Sequence, residues 1–195
     1  MSDRWVVVGL GNPEAEYGGT RHNIGADAVR ALAAQHLASF GTNKRIRCEE
    51  AQVRVGDQRL LLVLPMTYMN TSGAPVQSAA AWFDAPPEQV ILVHDELDLE
   101  LGEIKCKIGG GSSHNGVKDV VRALGTKDVL RVRLGIGSPP GRMPGKDYVL
   151  RPFRGDERDE ADIVCNEAAD AIELLVAEGL EPTQNRYHGR RRQTS

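Results

Sequence analysis

The chain has 195 residues, with 24 Lys/Arg against 27 Asp/Glu for a net charge of −3, and 41% apolar residues. A chain of this length suits one large domain that buries on the order of 70% of its exposable surface. The composition excludes a disordered or collagen-like chain, and no apolar run reaches the ~18 residues that a membrane helix needs. Cys48, Cys106 and Cys165 are odd in number and far apart. They offer neither a metal-binding pair nor a disulfide framework, so reduced, buried thiols in a cytoplasmic protein are expected. The start, Met1-Ser2-Asp3-Arg4-Trp5, runs straight into an apolar stretch without a signal-peptide pattern.

The modest net charge conceals a strong asymmetry. Residues 102–154 hold 11 Lys/Arg and 4 Asp/Glu, a net of +7, whereas residues 155–185 hold 1 and 10, a net of −9. One basic stretch in an acidic chain is consistent with local phosphate binding, and equally with ordinary solvated faces.

In chain order, Trp5-Val6-Val7-Val8-Gly9-Leu10 is a continuous apolar run and predicts a buried strand. A polar, Gly-rich loop follows over residues 11–23. Residues 24–37 show helical spacing through Ile24, Ala28, Val29, Leu32, Ala33 and Leu37. Residues 45–55 and 58–64 flank Gly56-Asp57, a hairpin signal. A loop over 65–70 precedes a helix over 71–83, and Pro86-Pro87 breaks the chain before the buried strand Val90-Ile91-Leu92-Val93. Further strands are expected over 104–108 and 130–136. A flexible Gly109-Gly110-Gly111-Ser112-Ser113 loop leads into a helix over 116–124. A Pro/Gly-rich mobile connection spans 138–145, and an amphipathic helix spans 156–178. Strands alternating with helices, plus one hairpin, imply a single α/β domain over residues 1–185: a twisted mixed sheet surrounded by helices, followed by a basic tail over 186–195.

Ligand sites in such sheets lie beyond the carboxyl ends of the strands. That rule gathers the loops 12–23, 65–70 and 94–98, and with them His22, Asn12, Asn70 and Asp95. His22 suits a general base at neutral pH, although a lone loop histidine is commonly a plain surface residue. Asp95 can orient it, or can simply cap a helix. Asn12, Asn70 and Asn115 sit at element boundaries. Capping explains Asn70 and Asn115 by default, and binding of a substrate carbonyl or its oxyanion is the functional alternative.

Other chemistries fail on spacing. Gly9-Leu10-Gly11 starts like a dinucleotide fingerprint, but the third glycine would fall at Glu14 and Pro13 interrupts the turn. No P-loop lysine follows, so no nucleotide cofactor is expected. There is no Gly-x-Ser-x-Gly elbow for a serine nucleophile, and the five histidines lack metal-ligand spacing. Water attack assisted by histidine needs neither metal nor cofactor. Lys105 and Lys107 alternate on one predicted strand, and Arg131 and Arg133 on another, so each pair shares a face. Such pairs suit a phosphate clamp or a charged sheet edge.

Taken together, several ordered segments resemble the bacterial-type peptidyl-tRNA hydrolase family. They are Val8-Gly9-Leu10-Gly11-Asn12-Pro13, Tyr17, Thr20-Arg21-His22-Asn23-Ile24-Gly25, and Pro65-Met66-Thr67-Tyr68-Met69-Asn70-Thr71-Ser72-Gly73. The series continues with His94-Asp95-Glu96-Leu97-Asp98, Gly109-Gly110-Gly111, His114-Asn115-Gly116-Val117-Lys118, Arg133-Leu134-Gly135-Ile136-Gly137, and Asn185-Arg186 with His188. The resemblance implies a monomeric, metal-independent enzyme that cleaves the ester joining a peptide to the 3′-terminal ribose of tRNA. In it His22 would activate water and Asp95 would orient His22. Asn12 and Asn70 would position the substrate and stabilise its carbonyl oxygen, and Asn115 would order the water. Lys107 and Arg133, with Lys105, would meet the tRNA 5′-phosphate at the acceptor stem. Tyr17, Tyr68 and Met69 would border the peptide. Ser112-Ser113 stand where the family commonly has a Gly pair, which restricts that loop. The alternative is a non-catalytic RNA-binding or splicing-factor relative on the same fold.

Overall fold

A computed structural model describes residues 2–188. Seven strands form one sheet: β1 (Arg4–Gly9), β2 (Gly41–Asn43), β3 (Cys48–Val55), β4 (Gln58–Pro65), β5 (Val90–Glu96), β6 (Ile104–Ile108) and β7 (Leu130–Gly135). Their order is β2-β3-β4-β1-β5-β7-β6. The four inner strands β4, β1, β5 and β7 are parallel, while β2, β3 and β6 add antiparallel edges. The mixed sheet is therefore as expected, with β2 as an extra short strand. The helices are α1 (Glu14–Tyr17), α2 (Ile24–Gln35), α3 (Gly73–Phe83), α4 (Asn115–Leu124), α5 (Gly145–Tyr148), α6 (Asp156–Glu178) and α7 (Leu180–Tyr187).

Strand alternation divides the core in two. Trp5, Val7, Leu60, Leu62, Ile91 and Val93 face one side, where Leu32 of α2 and Ile172 of α6 pack on them. Val6, Val8, Leu61, Val63, Val90 and Leu92 face the other, against Val76 and Phe83 of α3 and Val120 of α4. Because strands β1, β4 and β5 carry apolar residues on both faces, they read as continuous apolar runs in the sequence.

Glycine sets how closely α2 approaches the sheet. A Cβ at Gly25 would stand 2.1 Å from the Val93 carbonyl oxygen, and one at Gly9 would stand 2.8 Å from Ala26 Cα. The first turn of α2 therefore sits against the ends of β1 and β5. That contact brings the loop before α2 to the end of β5.

Three segments differ from expectation. The loop over 11–23 contains α1 and a 3-10 turn at Arg21–Asn23. The mobile connection over 138–145 runs into the short α5. The chain continues after α6 as α7, which carries Arg186 and Tyr187. Gln184 Nε2 donates to the Cys106 carbonyl at 3.1 Å, and the Cys106 N–H donates to His188 Nε2 at 2.8 Å, so α7 and its cap lie along edge strand β6. Arg190, Arg191 and Arg192 lie outside the described residues. Cys48, Cys106 and Cys165 are buried free thiols, and burial pushes each up to about 12.

Candidate active site

Asp95, the next-to-last residue of β5, is almost fully buried and is shared by two imidazoles. His22 Nδ1 donates to one carboxylate oxygen at 2.8 Å, and His114 Nε2 donates to the other at 2.7 Å. Each tautomer is fixed by its neighbours. Nδ1 of His114 accepts from the N–H groups of Gly116 and Val117 at 3.1 and 3.3 Å, so its proton sits on Nε2. With Nδ1 of His22 committed to Asp95, its Nε2 carries the free lone pair. Burial pushes the Asp95 carboxyl up, but the two imidazoles, His114 foremost, outweigh it and hold the group well below the usual carboxylate range.

His94 supports the same carboxylate from behind. It is completely buried, its Nδ1 donates to the Asp95 carbonyl at 2.8 Å, and its ring stacks edge-on against His114 at 4.8 Å. Burial pushes it down to about 3, with His114 adding to the effect, so it is neutral. His22, His114 and Asp95 also place three possible metal-ligand atoms within 4.8 Å of one another. Both Asp95 oxygens are already filled by imidazole N–H groups, and the His114 nitrogen in question is protonated. Their hydrogen bonding is satisfied without an ion.

The asparagines surround this centre. Asn12 Oδ1 accepts the Met69 N–H at 2.7 Å, which leaves its NH2 to face outward as a donor. The Asn12 backbone is clamped by Asn23, whose Oδ1 accepts from Asn12 N–H at 2.9 Å and whose Nδ2 donates to Asn12 O at 3.0 Å. Asn70 lies in the 3-10 turn Met69–Thr71 and caps no helix. The first N–H of α3, at Gly73, is taken by Asp119 Oδ2 of α4 at 2.8 Å. Asn115 is itself the first residue of α4, and His114 is the cap. Capping therefore explains neither residue, and the amides of both hold no hydrogen bond within the described residues.

A cleft of about 700 Å³ opens over these groups. It is lined by Asn12, His22, Tyr68, Met69, Asn70, Asp95, His114 and Asn115, with Leu97, Lys146, Val149 and Leu150 on its far wall. Tyr17 does not line it; its ring stands edge-on to Tyr68 at 6.4 Å. Tyr68 O–H donates to Glu16 at 3.0 Å, and this bond raises the phenol above its ordinary value.

The cationic strands are less uniform than their alternation implies. Across the β6–β7 ladder Lys105 faces Arg133 and Lys107 faces Arg131. Arg131 is 1% exposed and is not a surface ligand; its Nη2 holds the carbonyls of Gly110 and Lys127 at 3.0 and 3.3 Å. Lys107 Nζ reaches the Gly111 carbonyl at 3.4 Å. Burial, then the neighbouring Arg133 and Arg131, lower the Lys107 ammonium. Among the described residues Lys105, Lys107, Arg131 and Arg133 form no salt bridge, although the Glu96 carboxylate is near enough to act on Lys107.

Four residues at the site are not singled out by sequence reasoning. The cue for His114 is its place directly before Asn115 and a helix. Asn23 was visible beside His22, yet nothing local shows that it braces Asn12. Val149 and Leu150 reach the cleft only because the chain returns from the sheet, through the bonds His22 N–H to Val149 O and Arg21 N–H to Arg151 O.

A family model described as peptidyl-tRNA hydrolase matches residues 6–195. The chain belongs to the peptidyl-tRNA hydrolase family. It is 48% identical over 190 residues to the peptidyl-tRNA hydrolase of Pseudarthrobacter chlorophenolicus, covering 96% of this chain and 97% of that one. The Frankia alni peptidyl-tRNA hydrolase is 48% identical over 185 residues, covering 94% and 93%. The crystal structure of peptidyl-tRNA hydrolase from Acinetobacter baumannii superposes with a TM-score of 0.89 at 33% identity, covering 97% of this chain and 96% of that chain. These relatives carry a hydrolase name and lend no support to the non-catalytic splicing-factor alternative.

Proposed function

We propose that the chain hydrolyses the ester between a peptide, or an N-blocked aminoacyl group, and the 3′-terminal ribose of tRNA. One observation carries this reading: a buried Asp95 fixes His22 so that its Nε2 lone pair faces a cleft lined by uncommitted asparagine amides. His22 takes a proton from water as the water attacks the ester carbonyl. Asp95 stabilises the imidazolium that forms, and His114 keeps the carboxylate aimed. The NH2 groups of Asn12 and Asn70 donate to the carbonyl oxygen as it becomes an oxyanion. Asn115 orders the water. Collapse breaks the ester C–O bond, and the His22 proton passes to the departing ribose oxygen. The products are a peptide acid and tRNA with a free terminal hydroxyl.

Tyr68 and Met69, with Tyr17 behind Tyr68, border the peptide. Lys107 and Arg133, with Lys105, grip the 5′-phosphate at the acceptor stem; that they form no salt bridge within the described residues supports this. We take the protein as a cytoplasmic monomer. Buried free thiols support the compartment, and no helix among the described residues is long and apolar enough to cross a membrane.

The test is release of free tRNA from an N-blocked aminoacyl-tRNA by the wild type and by His22→Ala. Turnover should fall on the order of 10²–10⁴-fold, the usual worth of a general base, with tRNA binding retained. Near wild-type hydrolysis by the variant would place the base elsewhere.

A further inference from the structure

We propose that a second cavity, beside the cleft, is a subsite for the phosphodiesters of the single-stranded 3′ end of the RNA substrate. The inference rests on the hydrolase reading above. The cavity has a volume of about 440 Å³ and is lined by Arg21, Arg151, Pro152, Arg154 and Glu157. Its floor is rigid. Arg21 is buried, its Nη1 donates to the carbonyls of Arg151 and Pro152 at 3.2 and 2.7 Å, and its Nη2 meets both Glu157 oxygens at 2.8 Å. The guanidinium also lies over the Tyr148 and Phe153 rings, at 4.6 and 5.0 Å. After all these contacts the Arg21 Nε–H remains buried without a partner among the described residues.

The lining of the cavity favours an anion. Glu157, the lining carboxylate, is already spent on Arg21. Arg151 and Arg154 are exposed, and their side chains enter no salt bridge or hydrogen bond within the described residues. Two uncommitted guanidinium forks on a fixed floor match phosphate oxygens, which accept paired N–H bonds. The acidic first turn of α6, with Asp156 and Asp159 beside Glu157, makes general attraction of polyanions weak there. Binding therefore depends on where the two forks stand.

Location selects the ligand. Residues 149–153 are laced to the strip 19–22 by His22 N–H to Val149 O at 2.8 Å, Arg21 N–H to Arg151 O at 3.0 Å and Phe153 N–H to Gly19 O at 3.2 Å. Val149 and Leu150 line the catalytic cleft, and Arg151 follows directly. An RNA strand with its terminal ribose at His22 leaves the cleft with one phosphodiester per nucleotide. The proposal routes that strand past Lys146, which lines the cleft and has no partner among the described residues, to the cavity that begins at Arg151. None of these residues belongs to the Lys105–Lys107–Arg133 cluster. The substrate would then be held at two places: its duplex end by that cluster and its single strand by this cavity.

The test compares N-acetyl-aminoacyl esters of adenosine, which has no phosphodiester, and of the terminal trinucleotide, which has two. In Arg151→Ala/Arg154→Ala the KM for the trinucleotide ester should rise roughly tenfold relative to that for the adenosine ester. The slope of log affinity against log salt for the trinucleotide should flatten by about 1.4, the counterion release of two single-strand contacts. Arg151→Lys/Arg154→Lys should retain most of the slope while losing part of the affinity. An unchanged ratio of the two KM values, or an unchanged slope, overturns the subsite. Failure of the wild type to hydrolyse any of these esters would instead overturn the hydrolase reading itself.

Discussion

At the scale of single residues, the site is a division of one carboxylate between two histidines with different duties. In the proposed reaction His22 gains and loses a proton, whereas His114 is held in one tautomer by the N–H groups at the start of α4. On that proposal, Asp95→Asn removes the charge that stabilises the His22 imidazolium. Turnover should fall on the order of 10²–10⁴-fold with little change in KM, because that charge matters most as the transition state forms. A loss confined to KM would make Asp95 a recognition residue. The sequence placed His22, Asp95, Asn12 and Asn70 on loops and strand ends at one edge of the sheet and Asn115 at a helix start, and the structure brings all five around one cleft. What stayed hidden was the bracing. Asn23 and His94 act on those residues through backbone and ring contacts that spacing does not encode. Asn70 and Asn115 also illustrate the limit of capping rules: Asp119 and His114 satisfy the helix termini instead, which frees both amides.

At the scale of elements, the docking of α2 on β5 sets the distance between His22 and Asp95. Gly25→Ala places a methyl 2.1 Å from the Val93 carbonyl, where backbone must give way. The substitution should destabilise the fold by about 1–3 kcal/mol or more, seen as a lower midpoint in urea. It should also reduce turnover of the protein that stays folded, because α2 is lifted off the strand that carries Asp95. Another test lies where α2 meets α6, where burial raises Asp27 to about 6, partly offset by Arg158. Its folded value is above its ordinary 3.8, so the stability linked to its neutral form is present below pH 4 and is lost as pH rises through 6. Asp27→Asn should therefore leave stability at pH 4 little changed and raise it by about 1–3 kcal/mol at pH 8. Equal urea midpoints of variant and wild type at pH 8 would refute the account. The major helices and inner strands were readable from apolar periodicity. The short α1, α5 and β2 were not, because a single turn or a three-residue strand carries no repeat.

At the scale of the whole molecule, acid sensitivity follows from groups on the inner strand β5. His94 sits at about 3 in the fold against an ordinary 6.5, so folding requires it neutral, and its contribution is lost as pH falls from 6.5 toward 3. Asp95 is also held below its ordinary value and adds to the loss at the acid end. Stability should decline below pH 6.5 by at most about 1.4 kcal/mol per pH unit for the single His94 proton. His94→Asn, less stable at neutral pH, should show a flatter decline between pH 6.5 and 4.5. Parallel stability–pH curves for the two proteins would show that His94 is not the group responsible.

The docking of α7 has a consequence for what this protein avoids. An antiparallel edge strand such as β6 offers outward N–H and C=O groups to any passing strand, which is how sheets grow into aggregates. At Cys106 both outward groups are already taken, one by Gln184 and one by His188. The opposite margin, β2, is only three residues long and offers little to pair with. The sheet is thus finite at both ends. The last described helix acts as a selvedge on its longer border, so losing α7 should leave the candidate site's groups in place in a protein prone to joining its own copies edge to edge.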